Sequence, residues 1–218
     1  RFVEKEGELS QTNTLAAIIT GNRQPESWMG KSDKVDFFDI KGDLESLLEM
    51  AGDPESYTLA ADKHVALHPG QSARIERNGK SVGWIGAMHP SLQKQLDLAG
   101  PVYLFEIELA ELLEGKLPRF SSLSKFPESR RDLAMVIDQQ VGFDAVRTIA
   151  KEQGGEFLKD VILFDVYTGQ GIEAGRKSLA LGLTWQHPSR TLNDEEINAS
   201  VAAVVASLTN DLGAVLRD

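Results

Sequence analysis

Lys177-Ser178-Leu179-Ala180-Leu181-Gly182-Leu183-Thr184-Trp185-Gln186 is the stretch that decides the fold. Leu179, Leu181, Leu183 and Trp185 alternate with Ser178, Ala180, Gly182 and Thr184. Period-two geometry therefore predicts a strand with a large, buried face and a small, open one. A glycine-rich turn over 169–175 precedes it, and before that 159–167 reads as another strand. After it, 191–211 predicts a long helix, with Thr191 expected to cap toward Asp194. Residues 214–217 form a closing strand. Upstream, 131–138 reads as a strand, and 143–153 as a helix with Val146, Ile149 and Ala150 at helical spacing. Strand-helix-strand-strand-helix-strand is the ferredoxin-like split unit, for which the order 4-1-3-2 is expected, with both helices on one face.

The other face carries the functional expectation. Burying Leu133, Met135 and Ile137 leaves Asp132, Ala134 and Val136 outside. In the next strand, burying Ile162, Phe164 and Val166 leaves Leu163, Asp165 and Tyr167 outside. Small residues around one acid and one aromatic make a platform for a flat ligand. The same topology is expected to bring Arg130, Arg131, Arg190 and Arg217 to one edge of that face. There they either track a phosphate backbone or pair with Asp132, Asp218 and Glu128.

Upstream of this unit, residues 115–127 hold two prolines and three serines without sustained periodicity, which reads as a linker. The expected organisation is a module over 1–117, a linker over 118–124 and a domain over 125–218. In the first module, 14–20 predicts a buried strand. Leu44, Leu47, Leu48 and Ala51 follow helical spacing up to Gly52. Asn78-Gly79, flanked by residues 72–77 and 80–86, is a strong hairpin signal, since both residues accept positive φ. A short helix is expected over 92–96 and a strand over 102–108. The fold class is α+β, with a mainly antiparallel sheet in the first module.

Composition narrows the chemistry. With 33 acidic and 23 basic side chains among 218 residues, the net charge is −10, and both halves are acidic. That argues against coating nucleic acid by bulk electrostatics, so any such contact must be local. The absence of cysteine excludes disulfides, thiol catalysis and cysteine-ligated metal. No apolar stretch approaches the ~20 residues that span a bilayer, and the charged start lacks a signal-peptide core. A cytoplasmic protein without a membrane partner is expected. The missing initial Met suggests a piece of something longer.

The catalytic motifs dissolve in context. Gly79-Lys80-Ser81-Val82-Gly83 has the nucleophile-elbow pattern but sits in the hairpin instead of a strand-to-helix turn. His64 and His68 are spaced to share a helix face, yet no third ligand accompanies them and Pro69-Gly70 would end such a helix. Asp43, Glu45 and Glu49 read as a solvated helix face. Asn198-Ala199-Ser200 fits a glycosylation sequon on a helix, a poor acceptor. No catalytic residue and no metal ligand is expected.

Five runs occur in order: residues 125–134, from Lys125-Phe126-Pro127 to Asp132-Leu133-Ala134; Leu163-Phe164-Asp165-Val166-Tyr167-Thr168-Gly169; Lys177-Ser178-Leu179-Ala180; Arg190-Thr191-Leu192-Asn193-Asp194-Glu195-Glu196; and Leu216-Arg217. Together they resemble the ferredoxin-fold anticodon-binding domain of bacterial phenylalanyl-tRNA synthetase beta subunits. Phe37-Phe38-Asp39-Ile40-Lys41-Gly42, His68-Pro69-Gly70-Gln71-Ser72-Ala73 and residues 83–90, from Gly83-Trp84 to His89-Pro90, are similar to that family's class II synthetase-like, non-catalytic module, incomplete here. The resemblance implies an α2β2 ligase that uses ATP and Mg²⁺ to charge tRNA(Phe) with phenylalanine. Its chemistry lies on the alpha subunit, so this stretch needs no cofactor of its own and no DNA partner. It further implies anticodon contacts at Ala134, Asp165 and Ser178. Physically, Ala134 and Ser178 leave room for a base, the Asp165 carboxylate suits the donors of a guanine edge, and Tyr167 can stack, worth about 1–3 kcal/mol per base.

Two other classes stay open on the residues alone. One is a subunit-docking module without RNA reading, since such folds host many functions. The other is a small-molecule regulatory domain.

Overall fold

A computed structural model describes residues 2–5, 7–28, 30, 33–115, 120 and 123–217. Most of the expected 118–124 linker (118, 119, 121 and 122) lies outside the described residues, as do 116 and 117 before it. The chain divides into two compact units, residues 1–119 and 120–218.

The first unit opens with a ribbon of β1 (Phe2–Lys5) and β2 (Glu8–Gln11). Its main sheet is built from β3 (Thr14–Thr20), β4 (Tyr57–Ala61), β5 (Leu67–Arg77), β6 (Lys80–Met88) and β7 (Val102–Glu108). These run antiparallel in the order β3-β7-β6-β5-β4. The Asn78-Gly79 hairpin forms as expected, with Arg77 opposite Lys80 and both turn residues at positive φ. Helix α1 (Phe37–Met50) is started by a capping box between Asp36 and Asp39. It lays Ile40, Leu44 and Leu48 on Ile75, Ile85, Phe105 and Ile107. The short helices α2 (Pro90–Gln95) and α3 (Leu109–Leu113) flank β7.

One expectation for this unit fails. β3 is an edge strand instead of a buried one, and its Ile18 is 62% exposed. An apolar run of seven residues fits a half-covered edge as well as a core strand, and only the pairing partners decide. His64 and His68 share no helix, because that stretch is the β4–β5 turn and the start of β5. Their Nδ1 atoms accept from the backbone N–H of Ala66 and Gly70.

The second unit comprises β8 (Ser129–Asp138), α4 (Phe143–Gln153), β9 (Leu158–Tyr167), β10 (Arg176–Trp185), α5 (Asp194–Leu212) and β11 (Val215–Leu216). The sheet order is β11-β8-β10-β9, all antiparallel, which is the expected 4-1-3-2. Leu179, Leu181, Leu183 and Trp185 are buried with Met135, Ile137, Val146 and Val204 between the sheet and its two helices. The cap of α5 is Asn193, which forms a capping box with Glu196; Thr191 lies two residues before it. No described helix is long and apolar enough to cross a membrane.

Candidate nucleic-acid interface

The uncovered face of the second sheet is a ladder of cross-strand rows. Tyr167, Ser178 and Val136 form one row, and Asp165, Ala180 and Ala134 the next. Ile162, Gly182 and Asp132 follow, then Asp160, Thr184 and Arg130. Side chains in one row of an antiparallel ladder share a face and touch. Ala134, Asp165, Tyr167 and Ser178 are therefore brought together on adjoining rows.

Asp165 stands exposed over the small side chains of Ala180 and Ala134. No described residue donates a hydrogen bond to its carboxylate. Tyr167 donates its O–H to the Gln170 carbonyl at 3.2 Å. The Arg217 guanidinium lies over the Tyr167 ring, 5.4 Å from the centroid. Yet the Arg217 backbone N–H donates to the Ala134 carbonyl on β8, at 2.8 Å, and β10 runs between β8 and β9. The Arg217–Tyr167 pair thus bridges β10, and Ser178 keeps its expected face but is only 4% exposed.

At the other end of the platform, β9 departs from strict alternation. Asp165 faces Ala180 and Leu163 faces Leu181, so Phe164 between them has no partner. This β-bulge changes the phase of the strand. Leu163 packs against the helix-side core, Ile162 joins the open face beside Gly182, and Phe164 is 51% exposed, each the reverse of the expectation. Val166 stays on the helix side but is half exposed. The Arg130 guanidinium lies 5.4 Å from the Phe164 centroid, and its Nε donates to Asp132 at 2.7 Å. Gly182 permits this arrangement, because a Cβ there would come within 2.7 Å of the Arg130 guanidinium and 2.9 Å of Ile162. Sequence reasoning missed Phe164 as a surface group. The available signal was Val161-Ile162-Leu163-Phe164, four apolar residues in a row where alternation demands two.

The four arginines do not converge. Arg131 faces the helix side opposite Leu183 and donates to Asp194 at 2.5 Å. Arg190 grips Glu196 with two hydrogen bonds, of 2.6 and 2.7 Å. The Arg190 guanidinium, helped by the Asn193 backbone N–H, holds the Glu196 carboxyl down at about 2. Both arginines serve the negative first turn of α5, leaving Arg130 and Arg217 on the open face. Glu128 pairs with Lys159, and Asp218 lies outside the described residues.

Chemically, this face offers a floor of small side chains, one unpartnered carboxylate and an arginine–aromatic pair at each end. Such a set suits a planar ligand with hydrogen-bond donors on its edge and anionic groups beside it. Among the described residues of the first unit no comparable set forms, and the elbow-like pattern is the β5–β6 hairpin. Among the described residues no group of three His, Cys, Asp or Glu could hold a metal ion.

Known proteins match both units. Residues 1–109 match the family described as phenylalanyl tRNA synthetase beta chain CLM domain. Residues 124–217 match the ferredoxin-fold anticodon binding domain. The phenylalanine–tRNA ligase beta subunit of Pseudomonas putida is 53% identical over 217 residues, 100% of this chain and 27% of the relative. That of Hahella chejuensis is 46% identical over the same shares. That of Nitrosococcus oceani is 45% identical over 212 residues, 97% of this chain and 27% of its own. The chain spans about a quarter of the length of these curated relatives.

Proposed function

The chain belongs to the phenylalanine–tRNA ligase beta subunit family, and from that premise we propose that the open face of its second unit reads the anticodon of tRNA(Phe). The Asp165 carboxylate, unpartnered above Ala134 and Ala180, is the observation that carries the reading. A guanine presents N1–H and N2–H₂ on one edge, two donors for one carboxylate, and the flat floor lets the base lie close. Tyr167 and Arg217 flank that base, and Ser178 becomes available to it when the two part. Single-stranded loops are where RNA sequence is normally read, because their bases splay out. An acidic protein reads RNA this way only at a few placed cations, so affinity in isolation is low.

Exposed apolar groups support a second role for the first unit. Edge strand β3 shows Leu15 and Ile18 to solvent, and among the described residues no strand pairs with its outer side. Unprotected edges are pairing surfaces, and the synthetase alpha subunit is the partner proposed here, in an α2β2 assembly. ATP- and Mg²⁺-dependent charging is then the work of that assembly in the cytoplasm. The described residues give Mg²⁺ no cluster of ligands, and the part assigned to this chain is recognition and docking.

An NMR titration of the chain with a stem-loop bearing a GAA anticodon, beside a scrambled loop, tests the reading. Shifts at Ala134, Asp165, Tyr167 and Ser178 with GAA alone are expected. Equal shifts with both loops, or none, would leave docking as the function.

A further inference from the structure

We infer that Phe164 and Arg130 form a second nucleotide site, which stacks the base next to the one held at Asp165. The inference rests on the anticodon-face reading and adds Phe164, which the expected contacts did not include, to Arg130, which was expected only at the phosphate backbone. The bulge places Phe164, one residue before Asp165, on the same side as the platform, with half its surface in solvent. The neighbouring Leu163 keeps to the core, so the exposed ring is specific to the bulged position. Arg130 is fixed from two sides, by Asp132 through Nε and by the ring below its guanidinium. Gly182 leaves the space in which that guanidinium lies.

An exposed ring with a cation across it matches both parts of a nucleotide. The π-face takes a base of any identity, and the guanidinium takes the phosphate that joins it to the next. Phe164 and Asp165 are consecutive, so the base on Phe164 is a neighbour of the base hydrogen-bonded at Asp165. The site is tolerant where Asp165 is selective, because stacking reads no edge.

The test is a double-mutant cycle on the 218-residue chain. Affinity is measured for the intact GAA stem-loop, for loops lacking one adenine base, and for a loop lacking the guanine base. Phe164→Ala is expected to weaken the intact loop about tenfold. It should cost nothing further on the loop whose stacked adenine is missing. Phe164→Trp should bind at least as tightly as the wild type, which guards against a folding artefact. Unchanged affinity in Phe164→Ala, or the same loss on every loop, overturns the second site. If guanine removal costs the wild-type chain nothing, or no loop binds at all, the anticodon-face reading falls and this site with it. If the guanine matters but Phe164 couples to no adenine, only the second site is lost.

Discussion

Arg77 and Arg217 each hold a guanidinium over a tyrosine ring, 5.5 and 5.4 Å from the centroid, in different units of the chain. The geometry is the same and the surroundings are opposite. Arg77 is nearly enclosed and donates to the Glu111 and Glu114 carbonyls, both at 2.7 Å, and to the Glu111 carboxylate at 3.3 Å. Tyr57 donates to the same Glu111 carbonyl, and Lys80 closes on the carboxylate at 2.6 Å. Burial pushes the Tyr57 phenol up, and the Lys80 ammonium holds Glu111 down. Arg217 has no carboxylate partner among the described residues and lies on an open face. A charge enclosed by carbonyls and a carboxylate serves the fold, even though Arg77 Nε is buried without an acceptor, whereas one left without such partners at the surface is available to a ligand.

The largest effect should come from breaking the enclosed pair. Arg77→Ala strips donors from two carbonyls and leaves the half-buried Tyr57 phenol beside an empty volume. It is expected to cost about 3 kcal/mol in urea denaturation. Arg217→Ala should stay within about 0.5 kcal/mol of wild type in the same measurement. Equal losses in the two variants would end the distinction.

Asp165→Ala sharpens it from the other side. In the assembled synthetase the KM for tRNA is expected to rise roughly 30-fold, the value of a charged hydrogen bond of about 2 kcal/mol. Phenylalanine activation by ATP, followed by pyrophosphate exchange, should be unchanged, as should the melting temperature. An unmoved KM would show that the free carboxylate is bare surface.

Arg130 and Arg131 are neighbours on β8 that point to opposite faces. Arg130→Ala should lower the slope of log affinity against log salt for an anticodon stem-loop by about 0.7, one phosphate contact on a single strand. Arg131→Ala, which frees only Asp194 at the helix start, should leave the slope alone. A slope that drops for Arg131 and not for Arg130 would reverse the assignment of faces.

That pair also shows what could be read from the residues. Strand order and core of the second unit, and the hairpin and α1 of the first, follow from alternation, helical spacing and Asn78-Gly79, because burial and turn chemistry are local demands on sequence. Asp165 and Tyr167 lie on the expected face for the same reason. Phase errors arise where a bulge inserts a residue, and the unbroken apolar run over 161–164 hides it. Arg131 and Arg190 were misplaced because partners on α5 are set by tertiary packing, which spacing along the chain does not encode. The short strands β1, β2 and β4 carry too little periodicity to stand out.

The smallest expected effect tests whether saturation or location in the chain is what matters. Arg190 and Glu196 form a saturated pair inside the second unit, with Asn193 completing it. By the argument above they serve the fold, so Glu196→Gln should leave stem-loop affinity unchanged. The exposed pair contributes little, and a drop of about 1–2 °C in melting temperature at pH 7 is expected. The pH dependence identifies the charge. The folded carboxyl titrates at about 2, below its ordinary 4.5, so its contribution is complete above about 4.5 and is lost as pH falls toward 2. Glutamine has no such contribution to lose, so the melting difference between variant and wild type should narrow across that window. A difference near zero already at pH 7 would assign the role of Glu196 to its capping hydrogen bond with Asn193, which glutamine retains, and a difference that stays constant down to pH 2 would show that the charge is not its source. A loss of RNA affinity would show that a saturated pair can also serve the ligand.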